Sequence, residues 1–258
     1  MDLHFEAYGH GRGEPLIILH GLFGSADNWH AVCSKLAPSL KVFSLDQRNH
    51  GRSPHSPDMD YALMAQDVLH FIQSQGISEA FVMGHSMGGK TAMQLALLHP
   101  SVVRKLIVVD MSPRSYSPGH REILARLLAL DLSHFQTRQQ MEAALAPAVS
   151  DLSTRRFLLK NAVREDSGGF RWRIGLEEIL QNLPQLTAAL SSDRPFEKLA
   201  LFIRGEKSDY LLEDDWPLIQ RLFPQASLQT IPGAGHLLHV EETELFLKTV
   251  QEFLFRGT

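Results

Sequence analysis

The sequence predicts an α/β fold: a mostly parallel central sheet with helices on both faces and an inserted helical segment. Three observations predict it. Short apolar runs alternate with stretches of helical periodicity across residues 16–110. That alternation gives way to helical patterns alone from about residue 112 to 194. It then resumes at residue 199 and ends in an amphipathic helix. Parallel neighbours cannot be joined by a tight hairpin, so strands separated by helix-length segments imply crossovers and a sheet covered on both sides.

Each element follows from its local pattern. Leu16-Ile17-Ile18-Leu19 is a strand, and Val42-Phe43-Ser44-Leu45 is the next, ending at Asp46. Between them Trp29, Val32, Leu36 and Leu40 recur at helical spacing. Leu63, Met64, Val68, Phe71 and Ile72 share one face of a helix over residues 61–75, which Gly76 stops. Ala80-Phe81-Val82-Met83 leads as a strand into Ser86. A helix follows through Met93, Leu95 and Leu98 and ends at His99-Pro100. The run from Lys105 to Asp110 is another strand.

The middle segment carries three apolar helical faces: Ile123-Leu124-Leu127-Leu128, Leu152-Phe157-Leu158-Leu159 and Leu176-Ile179-Leu180-Leu183. No convincing strand interrupts them, and Asp166-Ser167-Gly168-Gly169 is a turn. Residues 1–111 and 195–258 therefore form the core, and residues 112–194 a helical lid insertion. Leu199-Ala200-Leu201-Phe202-Ile203 and Ser227-Leu228-Gln229-Thr230-Ile231 are the returning strands. Leu245, Phe246, Val250, Phe253 and Leu254 form the face of the last helix.

Composition narrows the function classes. The 258 residues carry a net charge of −4, which gives nucleic-acid binding no electrostatic support. No apolar run approaches the roughly 20 residues that span a bilayer. The first residues lack a basic region followed by an apolar stretch, so no signal peptide is expected and the default location is the cytoplasm. The single Cys33 excludes an internal disulfide and is expected to be a packed thiol. Thirteen histidines invite a metal site, yet His236 and His239 are accompanied by neither H-E-x-x-H nor paired cysteines, so none is expected. Gly9-His10-Gly11-Arg12-Gly13 precedes a strand rather than following one, which makes it a hairpin or loop and not a dinucleotide fingerprint.

One segment supports two chemistries. Gly84-His85-Ser86-Met87-Gly88 matches G-x-S-x-G, a sharp strand-to-helix turn that exposes a nucleophilic serine. Gly84 through Thr91 also matches the phosphate-cradling G-x-x-x-x-G-K-[ST], and Asp110 ends an apolar strand downstream as a magnesium-supporting residue would. Three neighbours favour the nucleophile. His20-Gly21-Leu22-Phe23-Gly24 follows the first long strand, where a second oxyanion-binding amide is needed. Gly233-Ala234-Gly235-His236 places an imidazole on the loop after the last strand. An aspartate lies between Ser86 and His236 in the chain. A phosphate-binding loop would explain none of these, and Lys90 and Thr91 then become ordinary helix residues.

Together these segments resemble the α/β-hydrolase superfamily, and within it the YbfF-type bacterial esterases and their mitochondrial α/β-hydrolase-domain relatives. The resemblance is carried by His20-Gly21-Leu22-Phe23-Gly24-Ser25, Asp46-Gln47-Arg48-Asn49-His50-Gly51-Arg52-Ser53, Gly84-His85-Ser86-Met87-Gly88-Gly89-Lys90-Thr91, Val109-Asp110-Met111-Ser112-Pro113 and Gly235-His236. It implies a serine esterase or thioesterase acting on a small acyl ester or acyl thioester, without metal or organic cofactor.

The resemblance implies that Ser86 attacks the acyl carbonyl, His236 moves the proton, and the amides of Met87 and Leu22 hold the oxyanion, with Phe23 as the alternative donor. Many relatives place the acid in a G-x-x-D turn after the penultimate strand. Here that turn is Gly205-Glu206-Lys207-Ser208, with Asp209 one residue late. Asp110 is the other position known in the superfamily and is favoured, with Asp209 as the alternative acid. His20, His85 and Trp172 are candidate substrate-binding residues. His20 is also placed to orient the oxyanion loop, and His50, Asn49 and Arg48 to brace the loop after the second strand. Phe170, Leu127, Leu128, Leu176 and Ile179 join Trp172 as candidate acyl-pocket residues. Arg121, Arg126, Arg155, Arg156, Arg164, Arg171 and Arg173 make the insertion rich in positive charge, which suits a solvated face or, less directly, an anionic leaving group such as coenzyme A. Carbon–carbon bond hydrolysis, or an elimination like that of a menaquinone-pathway lyase, is the alternative on this scaffold.

Overall fold

A computed structural model describes residues 1–9, 13–166 and 168–255. The first half of the core comprises β1 (Phe5–Tyr8), β2 (Glu14–Leu19), α1 (His30–Leu36), β3 (Leu40–Leu45), α2 (Tyr61–Ser74), β4 (Ala80–His85), α3 (Met87–Leu98) and β5 (Val103–Val109). The next segment contains α4 (Arg121–Leu128), α5 (Arg138–Leu145), α6 (Leu152–Leu159), β6 (Ala162–Arg164), β7 (Phe170–Trp172), α7 (Leu176–Gln181) and α8 (Leu183–Thr187). The core resumes with β8 (Ala200–Gly205), α9 (Trp216–Leu222), β9 (Ala226–Ile231), α10 (Leu238–Glu241) and α11 (Thr243–Phe255).

Seven strands form one sheet in the order β1-β3-β2-β4-β5-β8-β9. All pairings are parallel except β1 with β3. The chain runs outward from β2 to β3, then crosses back to β4 on the other side of β2. The carboxyl ends of β2 and β4 thus flank the point where strand order reverses, the usual place for a ligand crevice in an open α/β sheet.

Strand side chains alternate between two cores. Ile17, Leu19, Phe43, Leu45, Val82, Leu106 and Val108 face α2, α3 and the inserted segment. Leu16, Ile18, Val42, Phe81, Met83, Ile107 and Val109 face α1 and α11. This explains why the strands read as continuous apolar runs: both faces are buried. Burying each such Leu, Ile or Val contributes about 1.5–3 kcal/mol.

Four features depart from the sequence reading. β1 is absent from that reading; it pairs Phe5 with Leu45 and Tyr8 with Val42 as an antiparallel edge, a short half-buried strand with a weak periodic signal. Leu40 opens β3 instead of continuing a helix, because α1 ends at Leu36. The inserted segment is not purely helical: β6 and β7 pair antiparallel, with Ala162 opposite Trp172. Strands of three residues carry too little pattern to be recognised. The third helical face is two helices, α7 and α8, with Leu183 opening the second immediately before Pro184. Residues 10–12 of the glycine-rich stretch and Ser167 of the turn at 166–169 lie outside the described residues. No described helix is long and apolar enough to cross a membrane.

Candidate active site

The turn between β4 and α3 is forced into shape. Ser86 has φ 53° and ψ −122°, a conformation that costs a non-glycine residue on the order of 1–3 kcal/mol. The surroundings hold it there. Its amide donates to the Val109 carbonyl of β5 at 3.0 Å, and its carbonyl accepts from the Lys90 amide at 3.2 Å. A Cβ at Gly84 would collide with the Gly88 carbonyl, and one at Gly88 with the Leu19 carbonyl. Both glycines are required by close backbone approach. Helix α3 starts directly after Ser86, which aims the Met87 amide and the positive end of the helix dipole at the crevice.

The loop after β2 supplies the facing amide. Gly24 N–H donates to the Gly21 carbonyl at 2.9 Å, and Phe23 adopts φ 64°. The Phe23 amide is directed at His50 Nε2, 3.4 Å away, so it is turned from the crevice. Leu22 lines the crevice beside Ser86. Among the described residues neither the Leu22 nor the Met87 amide has an acceptor. The Leu22 and Met87 amides are thus without an acceptor beside Ser86, whereas the Phe23 amide is engaged by His50.

His20 braces this loop rather than facing a ligand with a free nitrogen. Its Nδ1 donates to the Gly21 carbonyl at 2.8 Å and its Nε2 accepts from the Gln47 amide at 3.0 Å. His50 is held likewise, Nδ1 donating to the Arg48 carbonyl at 2.9 Å. Burial pulls the pKa of His20 down to about 4 and that of His50 to about 3, so both rings are neutral braces. His20 also lines the crevice beside Ser86. Arg48 and Asn49 are braces as well: Arg48 Nε pairs with Asp67 at 2.7 Å, and Asn49 exchanges hydrogen bonds with the Ser56 backbone.

The two candidate acids lie at different distances from His236. Asp110, at the carboxyl end of β5, places Oδ2 2.7 Å from His236 Nδ1. It is fully buried with φ 51°. Its Oδ1 accepts from the Gly205 amide at 3.1 Å, and its Oδ2 also accepts from the Ser208 hydroxyl. Ser208, in the turn after β8, thus donates to a carboxylate arriving from the end of the neighbouring strand β5. Asp209 is exposed; its carbonyl accepts from Arg114 at 3.0 Å, and no contact joins its carboxylate to His236.

His236 sits on the loop after β9. Glu241 accepts from the amides of Gly235 at 2.6 Å and Leu237 at 3.3 Å, which fixes the loop on either side of the ring. The imidazole stacks on Tyr210 at 3.8 Å, and its backbone carbonyl accepts from His85 Nε2 at 2.8 Å. With Nδ1 held by Asp110, Nε2 is the nitrogen left for proton transfer. His85 stays neutral, its pKa pulled well below the usual value by burial and then by His236. It lines the cavity while orienting the His236 loop. His239 stacks flat on Trp29 at 4.2 Å; it is neutral for the same reason, with a pKa of about 3. No cluster among the described residues is arranged to hold a metal ion.

Two cavities meet at Ser86. One, of about 320 Å³, is walled by Tyr61, Met87, Met111, Tyr116, Leu183 and Leu186. The other, of about 290 Å³, contains His236 and is walled by Trp29, Ile123, Phe157, Leu158 and Leu237. Leu22, Ser86, His120 and Tyr210 border both. Trp172 borders neither. Its Nε1 donates to the Leu127 carbonyl at 3.1 Å, tying β7 to α4. Phe170, Leu127, Leu128, Leu176 and Ile179 are likewise absent from both walls. The insertion contributes to the walls through its roots, α4, α6 and α8, beside residues of the core. The i, i+3 spacing of Leu183 and Leu186 is a signal the sequence did contain. The arginines of α4 to β7 also stay outside: Arg126, Arg156 and Arg171 face Glu122, Glu142 and Glu165, and Arg155 donates to the carbonyls of Val149 and Ser150.

The phosphate-loop reading fails on the same geometry. Met87 already opens a helix, and Lys90 Nζ is turned to the protein, donating to two backbone carbonyls.

The profile of the family described as alpha/beta hydrolase fold matches residues 14–243. The chain belongs to the α/β-hydrolase family. Among curated relatives of this hydrolase, the sn-1-specific diacylglycerol lipase ABHD11 of Danio rerio is 39% identical, covering 98% of this chain and 83% of its own. Esterase YbfF of Escherichia coli is 34% identical, covering 94% of both chains, which places this hydrolase in a YbfF-like branch. A solved structure titled "Marine microorganism esterase" is 43% identical, with a TM-score of 0.95 over 98% of this chain and 99% of that one.

Proposed function

We propose that this α/β-hydrolase is a serine esterase that cleaves carboxylic esters through an acyl-enzyme. The observation that carries it is the 2.7 Å contact between His236 Nδ1 and Asp110 Oδ2, with the ring sharing a cavity wall with Ser86. Ser86 Oγ attacks the acyl carbonyl while His236 Nε2 takes its proton. The C=O electron pair moves onto oxygen, between the amides of Met87 and Leu22. Each such donor is worth about 2.7–4 kcal/mol in the transition state. The tetrahedral carbon then expels the alcohol, which takes the proton from His236. Water, deprotonated by the same nitrogen, attacks the acyl-enzyme and frees the acid and Ser86. Asp110 holds the ring in the tautomer with Nδ1–H and stabilises the imidazolium.

The two cavities divide the substrate. The leaving oxygen must meet His236, so the alcohol takes the cavity that His236 lines. The acyl chain points the other way, past Met87, into the cavity of about 320 Å³. The alcohol side is walled by apolar and histidine side chains with Asn28, Thr154 and Tyr210, and carries no lysine or arginine. This lining supports a neutral, apolar alcohol over a polyanionic thiol carrier. The names of the relatives, a diacylglycerol lipase and an esterase, support the same class.

A fluorophosphonate probe tests the reading: it should label Ser86, with the adduct located by mass spectrometry and lost in Ser86→Ala. Turnover of p-nitrophenyl esters should vanish in the same variant. Turnover that survives Ser86→Ala would exclude the acyl-enzyme and favour elimination or carbon–carbon cleavage.

A further inference from the structure

Lys90 has no role in the chemistry above, yet it is the most unusual lysine in the molecule. It lies one turn beyond Ser86 on α3 and is fully buried. Among the described residues its Nζ has no carboxylate partner. It donates instead to the carbonyls of Arg114 at 2.7 Å and Ala188 at 2.5 Å. The ring of Tyr116 lies 4.9 Å from the ammonium and that of Tyr61 5.5 Å. Burial, reinforced by the Arg114 charge, pulls its pKa from 10.5 to about 7, so a lysine is held here at a cost.

The two acceptors are far apart in the chain and adjacent in space. Arg114 belongs to the entry into the inserted segment, and Ala188 to its exit. The two roots are laced to each other: Leu190 N–H donates to the Pro113 carbonyl and Tyr116 N–H to the Thr187 carbonyl, both at 2.8 Å. Tyr61 of α2 adds a hydroxyl bond to the Leu186 carbonyl at 2.8 Å. These same roots wall the larger cavity through Tyr116, Leu186 and Thr187.

We propose that Lys90 is a positioning residue that fastens both roots of the insertion to the nucleophile helix and thereby sets the width of the acyl cavity beside Ser86. A single side chain joins the element that presents the nucleophile to the two backbone segments that bound the acyl chain. An apolar residue would fill the volume but leave both carbonyls without a donor. The roots would then be free to move relative to Ser86. The proposal rests on the acyl-side assignment made above.

The test compares Lys90→Met with the parent enzyme on p-nitrophenyl acetate and p-nitrophenyl octanoate. The octanoate KM should rise about tenfold, with the acetate KM rising much less and kcat falling no more than about threefold for either ester. Amide hydrogen exchange over residues 112–118 and 184–190 should accelerate. Exchange needs no substrate, so its failure is distinguishable from failure of the esterase reading, which Ser86→Ala tests. Equal KM changes for the two esters, or unchanged exchange in both roots, would overturn the proposal. If Lys90→Met does not fold, Lys90→Gln, which keeps a donor, serves in the same comparison. Failure of both to fold would assign Lys90 to the stability of the core and overturn its role in the cavity.

Discussion

Ser208 and His236 share one oxygen. The serine hydroxyl and the imidazole Nδ1 both approach Oδ2 of Asp110, from the loops after β8 and β9. The hydroxyl therefore helps set where the carboxylate points. Ser208→Ala removes one of its donors while keeping the triad atoms. Steady-state kinetics should show kcat reduced about tenfold, the loss expected for one hydrogen bond to a charged group, with KM changed little.

Asp110→Asn should lower turnover far more, up to about ten-thousandfold, because an amide no longer selects the tautomer with Nδ1–H. Asp209→Asn should retain most of its turnover, since that carboxylate makes no contact with His236. Burst-phase measurements on the two variants separate them, and the reverse ranking would reassign the acid.

The two-cavity division makes opposite predictions for two side chains. Leu186→Trp narrows the cavity that Met87 lines and should shift the preferred acyl chain to shorter lengths at constant alcohol. Phe157→Ala enlarges the cavity that His236 lines and should instead relax selectivity among alcohols at constant acyl chain. Crossed ester series read both, and interchanged effects would reverse the assignment.

Stability should fall in mild acid. His20 and His50 are buried and neutral, with pKa values of about 4 and about 3 against 6.5 when exposed. The unfolded chain therefore binds more protons than the native one below pH 6.5. The stabilisation is fully present above that value and is lost as pH falls toward the folded pKa values. A tenfold difference in proton affinity corresponds to about 1.4 kcal/mol, so full protonation accounts for roughly 3 kcal/mol at His20 and roughly 5 kcal/mol at His50. Urea denaturation at pH 7.5 and pH 5 should show a marked drop in midpoint, smaller in His50→Gln.

Gly88→Ala should destabilise the elbow, because its Cβ would overlap the Leu19 carbonyl, a backbone atom fixed in β2. A cost of about 1–3 kcal/mol is expected, with thermal unfolding as the readout.

Residues whose role depends on neighbours in sequence are legible from the chain alone. The elbow around Ser86, the oxyanion loop before Phe23 and the loop carrying His236 each announce themselves by local turn chemistry. The parallel strands do so through apolar runs buried on both faces. Short pieces escape. β1, β6 and β7 hold three or four residues each, too few for a period to emerge, and they exist because of the partners they pair with. Trp172 invites a place in the pocket because large aromatics suit pockets, but its indole is engaged by the Leu127 carbonyl across the insertion.

The sequence by itself determined the α/β layering, the bend that presents Ser86, and the order of Ser86, Asp110 and His236 along the chain, since each is written in local periodicity, turn residues or chain order. Only the tertiary structure placed Asp110 and not Asp209 against His236, turned the Phe23 amide to His50, and set what Lys90 holds. Those choices turn on distances of a few ångströms between segments up to 126 residues apart, set by how strand ends converge at one edge of the sheet.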